Sequence, residues 1–388
     1  MRTDAGDKGR TLRAWADDYV AWFLEAAVPL WAEKGIHPGG GFYEALSFAG
    51  EPAPADIARV RVQGRQISVF CAAHAWGWRP REAQRIVERG IRFMLSACRR
   101  PDGLFSHTVD LDAGRPADAT ADLYDIAFCL FALAHARPVL GHGLDSEIKD
   151  ILWLLEREMA EPAGGCRETL PASDVRLQNP HMHLLEAVMT IYERSEGRIG
   201  GALLDTLYRF CIDWFFEADE GWVKERTDAD GTALEAAFEP GHSFEWVWLL
   251  GWHARLTGQP APAFQRRLYE RALASLDRSG RAPMKAGLDG GAIDPTCRLW
   301  SQTEALKAHL EMAALANEAL DAVLETCEKI KRDWLDPADL KGGWLDHFDT
   351  DGRLIATAMP AGNGYHLVSA ITELKRFART EAQRRKNA

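Results

Sequence analysis

A short glycine-led phrase recurs along the 388-residue chain, and its spacing constrains the fold more than any other feature. It runs Gly, a few apolar residues, then an Asp/Gly turn. The copies are Gly40-Gly41-Phe42-Tyr43; Asp102-Gly103-Leu104-Phe105, followed by Asp110-Leu111-Asp112; Gly164-Gly165-Cys166-Arg167; Gly221-Trp222-Val223, followed by Asp228-Ala229-Asp230-Gly231; and Gly342-Gly343-Trp344-Leu345, followed by Asp349-Thr350-Asp351-Gly352. A degenerate copy is placed at Lys285-Ala286-Gly287-Leu288. Such a phrase suits a short β-hairpin loop. Its period is roughly sixty residues, the length of a helix pair with its connection.

Between the copies the apolar residues keep a helical period. Trp15, Tyr19, Trp22, Phe23, Ala26 and Leu30 follow it closely within 12–34. The same pattern predicts helices near 64–78, 82–97, 122–136, 145–159, 180–195, 201–217, 241–256, 262–278, 299–314, 317–334 and 363–380. Alternating β-branched runs are nearly absent. Helical hairpins in series form either an open superhelix or a closed ring, and an open array needs polar capping repeats at its ends. Here the first and last helices are as aromatic as the middle ones, which favours closure. The expectation is an all-α (α/α)6 toroid of about twelve helices, a single domain over residues 1–388. Its Gly/Asp loops would gather on one face, where a pocket is built.

Charge narrows the partners. A formal net charge of -11, with only scraps such as Arg266-Arg267 and Arg384-Arg385-Lys386, argues against nucleic acid and against an anionic membrane surface. The charged start Met1-Arg2-Thr3-Asp4 leads into no signal peptide, and no apolar run suggests a membrane span. Seven cysteines without a C-x-x-C pair read as reduced core thiols in a cytoplasmic protein. A monomer or homodimer acting on a small molecule is expected.

Polar residues inside apolar helical pattern mark the chemistry. Pro240-Gly241 opens a helix at His242, with Glu245 three residues on and so on the same face. A carboxylate beside an imidazole orients the ring and raises its basicity; a helix cap or a core histidine is the plainer reading of that stretch alone. Gln63-Gly64-Arg65-Gln66 places Arg65 early in a helix, suited to sugar hydroxyls, a carboxylate or an enolate oxygen, or else to an ion pair. In Asn179-Pro180-His181-Met182-His183, Pro180 fits the first helical position and Asn179 the N-cap, with Glu186 one turn beyond His183. His181 and His183 cannot face one way on a helix, which speaks against zinc. Trp300-Ser301-Gln302 and Tyr365-His366 open two further helices. Arg65, His183, His242, Trp300 and His366 thus lie near the starts of alternate helices. If those helices form the inner ring, all five converge on one cavity. Three histidines and an arginine in an apolar cup, without a metal signature or a facing carboxylate pair, suggest proton abstraction next to a carbonyl.

With these motifs in this order the chain resembles the N-acylglucosamine 2-epimerase family over nearly its whole length. The resemblance is carried by Val62-Gln63-Gly64-Arg65, Asn179 through His183 with Glu186, Gly241-His242 with Glu245, and Tyr365-His366. It implies an (α/α)6 barrel that works without cofactor or metal. The Pro-Gly-His-x-Phe-Glu-Trp segment and the Tyr-His ending resemble the aldose–ketose isomerase branch, while Gln63-Gly64-Arg65-Gln66 resembles the acylglucosamine epimerases. The resemblance implies that His242, steadied by Glu245, assists ring opening and moves the proton at oxygen. It implies that His366 carries the proton between C1 and C2 through a cis-enediol, while His183, Asn179 and Arg65 hold hydroxyls and the enediolate. Glu186, Trp300, Gln302 and Tyr365 complete the expected sugar contacts. The expected reaction interconverts mannose and fructose or a close analogue. A 2-epimerase that uses the same histidines on opposite faces of C2 is the alternative. A glycoside hydrolase needs two facing acids, and a non-catalytic binding protein would survive loss of His242 and His366.

Overall fold

The computed structural model describes residues 5–53, 55–315, 319–337 and 340–387; the charged start Met1–Asp4 lies outside them. Outer and inner helices alternate along the chain. Outer α1 (Ala5–Trp22) runs through a π-turn at Phe23–Ala27 into α2 (Val28–Lys34), and inner α3 (Val60–Ala75) follows. Outer α4 (Pro80–Ala97) leads to inner α5 (Leu123–Leu140), and outer α6 (Asp145–Leu154) to inner α7 (Gln178–Arg194). Outer α8 (Gly201–Phe215), α10 (Phe264–Ala274) and α12 (Leu320–Asp333) precede inner α9 (Pro240–Thr257), α11 (Leu299–Leu315) and α13 (Asn363–Asn387). Each inner helix packs on the next, and α13 returns to α3, so the ring closes. This is the (α/α)6 toroid expected from the repeat.

The two rings follow from different sequence patterns. Outer α4 buries Ala83, Val87, Ile91 and Met94 on one stripe and exposes Arg81, Arg85, Arg89 and Arg92 on the other. Inner α5 is covered on every side and reads Leu123 to Ala134 almost without a polar residue. By length and composition alone it is apolar enough to cross a membrane, against the expectation of no such run, yet 72% of it is buried in the ring. All seven cysteines are buried and unpaired.

The two ends of the ring differ. Inner helices reach their outer partners through short turns such as 76–79 and 195–200. Outer helices return to inner ones through long segments: 35–59, 98–122, 160–177, 216–239, 275–298 and 334–362. Every long segment therefore lies at the N-terminal end of the inner helices. Antiparallel strand pairs tie each to the next. Ile57–Arg59 pairs with Ser106–Asp110, Ala121 with Leu170, and Arg176 with Thr227. Ala237 pairs with Gly287, Cys297 with Phe348, and Ala45 with Pro360, which completes a belt around the mouth.

Each long segment opens with the recurring glycine turn, as in His37 N donating to Gly41 O and Gly40 N donating to His37 O. The fifth copy is not at Lys285–Leu288, which belongs to the strand Pro283–Gly287 and its turn. It lies earlier, where Asp277 N donates to Arg281 O and Gly280 N to Asp277 O. There charged Arg281 follows the glycine, where the other copies carry glycine or an apolar residue, which hides the copy. The turn demands positive φ, found at Gly40, Gly103, Gly164, Gly221, Gly280 and Gly342 alike.

Gly64 serves packing. A Cβ there would stand 2.3 Å from the Phe128 carbonyl oxygen, so α3 and α5 meet backbone to side-chain-free backbone. Its neighbours Gln63 and Gln66 clamp the backbone of Phe42 and Ala361. Of this motif, the side chain left to face the inner-ring axis is that of Arg65. Gly64→Ala should cost about 1–3 kcal/mol of stability, through overpacking that backbone cannot relieve. Calorimetric unfolding of the variant checks it.

Candidate active site

The inner helices bring to one cup the residues that open them. Their N-termini converge on the mouth, and their dipoles favour negative charge developing there. Arg65 comes from α3, Tyr124 and Phe128 from α5, His183 and Glu186 from α7, and His242 and Glu245 from α9. Trp300 and Glu304 come from α11, and Tyr365 and His366 from α13. Trp300 lies between two histidines, its ring 5.2 Å from that of His242 and 5.8 Å from that of His366.

His242 is held differently from the expectation. Its Nδ1 is 2.8 Å from Glu225 Oε2 and 3.4 Å from Glu239 Oε2. Glu245, expected to steady it, makes no hydrogen bond to it. Glu225 also accepts from Gln178 Nε2 and from the Glu239 backbone, so its position is fixed from three sides. Burial opposes a charge on His242, but Glu225 and Glu239 outweigh it and push its pKa up to about 10. Glu225 was not legible from sequence because it lies in a loop 17 residues before the histidine.

His366 has the opposite character. Its Nδ1 is 2.7 Å from Glu304 Oε1, and burial, helped by Arg65 and Lys307, holds it well below the ordinary histidine range. His183 stacks on Tyr124 at 4.9 Å between ring centres and bonds Glu186 through Nδ1 at 3.0 Å. Burial chiefly drives His183 down to about 3. The cup therefore offers a charged imidazole and a neutral one on either side of Trp300. Divergent pKa values of this kind suit one ring to give a proton and the other to take one.

Arg65 donates to Tyr124 Oη at 2.8 Å and lies over the rings of Phe128 and Tyr365. Among the described residues no carboxylate lies in ion-pair contact with it, which leaves its charge available to an oxyanion. Its Nε, Asn179 Oδ1 and both oxygens of Glu245 are buried without a hydrogen-bond partner. Buried polar atoms of this kind call for a partner, and the hydroxyls of a bound sugar would supply several at once.

Other expected contacts are spent within the protein. Gln302 bonds the backbone of Ala282 and Arg298 and does not reach for a sugar. Glu186 and Tyr365 bond each other behind His183. Asn179 is not the N-cap: α7 begins at Gln178, after extended Leu177. His181 uses both ring nitrogens, toward Leu177 O and Cys166 N, and is structural. Among the described residues, His183, Glu186 and Glu245, and likewise Glu245, Glu304 and His366, bring ligand atoms within 4.8 Å and could hold a cation. The Lys307 ammonium already lies 2.5 Å from Glu304 Oε2. A separate cavity of about 850 Å³ opens at the opposite end of the ring, beside Cys71, His135, Trp252 and Arg376. It touches the cup only from behind, through Glu186 and Tyr365, and the three cup histidines do not line it.

Replacing Glu225 by Gln removes the main charge that keeps His242 protonated. The alkaline limb of kcat/KM, where His242 loses its proton, should move to lower pH by about 1–3 units. A pH–rate profile of Glu225→Gln tests this; an unmoved limb would show that His242 is not the acid.

Comparison with known proteins agrees with the geometry. Residues 41–370 match the family model described as N-acylglucosamine 2-epimerase. The chain is 34% identical to a mannose-6-phosphate isomerase of Rhizobium meliloti (strain 1021) over 95% of this chain and 98% of that one. It is 24% identical to the human N-acylglucosamine 2-epimerase over 91% and 87%. The cellobiose 2-epimerase of Spirochaeta thermophila DSM 6192 superposes with a TM-score of 0.86 at 22% identity, covering 96% of this chain and 98% of that one. A family model that spans most of the chain, with a toroid of the same fold as the solved 2-epimerase, places this chain in the N-acylglucosamine 2-epimerase family.

Proposed function

We propose that, within this family of sugar isomerases and epimerases, the chain is a cofactor-independent aldose–ketose isomerase acting on free mannose or a close analogue. The observation that carries this reading is the neutral His366 and the charged His242 on either side of Trp300. Charged His242 donates to the ring oxygen and opens the sugar. Neutral His366 takes the proton from C2 and returns it to C1, and His242 moves the proton between O1 and O2. Arg65 and the converging helix N-termini meet the enediolate charge. The greater identity to an isomerase than to an epimerase also supports this reading.

The charge pattern favours a sugar without phosphate, although the relative of Rhizobium meliloti is named for a sugar phosphate. Arg61 meets Asp125 at 3.2 Å, Lys285 meets Glu235 at 2.5 Å, and Arg298 bonds Asp346 through Nε at 3.0 Å. These cations, in the first turn of α3 and on the segment entering α11, are thus already neutralised. Arg65 is needed at the enediolate, and a phosphate would compete for it while facing Glu225 and Glu239.

Mannose in deuterated water, followed by NMR, tests the reaction: fructose should appear with deuterium at C1. Glucose labelled at C2 without fructose would make the protein a 2-epimerase. His366→Ala should lower turnover about 10²–10⁴-fold. Mannose 6-phosphate should show a kcat/KM at least about 10²-fold below that of mannose, since uncompensated like charges cost several kcal/mol; equal values would overturn the choice of a neutral sugar.

A further inference from the structure

Lys307 is completely buried one turn below Glu304 on α11. Its Nζ lies 2.5 Å from Glu304 Oε2 and 3.5 Å from the centre of the Trp248 ring. Three buried carboxylates surround it: Glu304 on its own helix, Glu245 on α9 and Glu186 on α7. From α3 and α13 the neighbouring titratable and charged groups of the cup are Arg65, Tyr365 and His366. An ammonium buried so deeply is tolerated only when it is paired.

The pairing has a chemical consequence one residue further on. Glu304 binds Lys307 through one oxygen and His366 Nδ1 through the other, at 2.7 Å. A carboxylate can only accept, so His366 must donate from Nδ1, and in the neutral ring that leaves Nε2 bare. A carboxylic acid in the same place could donate instead. The ring proton would then move to Nε2, and the ring could take no proton from carbon. Burial and Glu245 press Glu304 toward that acid form, and Lys307 opposes them.

We propose that Lys307 is a positioning residue: it holds Glu304 as a carboxylate, which in turn holds His366 in the tautomer with its proton on Nδ1 and a bare Nε2 facing the cup. The consequence for turnover rests on the reading of His366 as the carbon base; the tautomer does not.

Long-range proton–nitrogen NMR on protein labelled with 15N-histidine reads the tautomer directly, with His366 assigned by its loss in His366→Ala. The unaltered protein should show neutral His366 protonated on Nδ1. Lys307→Met, close in length and uncharged, should move the proton to Nε2. It should lower kcat on the order of 10²-fold while KM stays within about threefold. Lys307→Arg, which keeps the cation, should keep the Nδ1 proton and most of the turnover. If Lys307→Met does not fold, Lys307→Gln carries the same expectation. An Nε2 proton in the unaltered protein, or an unchanged tautomer in the uncharged variants, overturns the proposal. Full turnover by His366→Ala would instead overturn the reading of His366 as base and leave the tautomer result to decide the role of Lys307.

Discussion

Closure of the ring is the constraint on which everything else depends. The first and last segments meet across more than three hundred residues, with Tyr19 Oη donating to Cys327 O and Trp22 Nε1 to Asp336 Oδ1. Trp31 stacks on Trp344 at 5.1 Å, and Ala45 pairs with Pro360. Without these contacts α13 would not lie against α3, and His366 would not share a cavity with Arg65. Joining such distant segments costs loop-closure entropy, and large aromatic surfaces are the natural way to offset it.

Closure also concentrates charge. Six inner helices opening on one mouth place Glu186, Glu245 and Glu304 inside an apolar wall, with Arg65 and Lys307 as the cations that answer them. Charges cannot be buried at random; each must find a partner or change its protonation. In this network the partners differ from one histidine to the next. His242 faces two carboxylates, Glu225 and Glu239, to which no Lys or Arg is bonded among the described residues, and becomes the charged ring. The carboxylate of His366 is shared with Lys307, and Arg65 adds to the positive field, so that ring stays neutral. One residue type thereby stands in two protonation states at the same pH, as the proposed acid and base roles require.

Much of this was legible from the chain. The helical period marks the inner and outer helices, and the glycine turns mark where each long segment begins, because a turn with positive φ leaves a residue signature whatever surrounds it. Arg65, His183, His242, Trp300 and His366 stand out because polar and aromatic groups at helix starts break an apolar pattern. What failed were inferences of partnership. Glu245 sits one turn from His242 but makes no bond to it, whereas Glu225, in a different loop, does. Gln302 looked like a sugar contact and is a backbone clamp. The fifth turn is hidden from the pattern because charged Arg281 follows its glycine.

The sequence by itself therefore determined the toroid, the face that carries the site and the residues at its centre, since these follow from periodicity and local backbone geometry. Only the tertiary structure decided which carboxylate serves which histidine, and with it which ring is charged. Those pairings join residues on different helices and loops, and hydrogen bonds and ion pairs act through distance in space, which spacing along a chain does not encode.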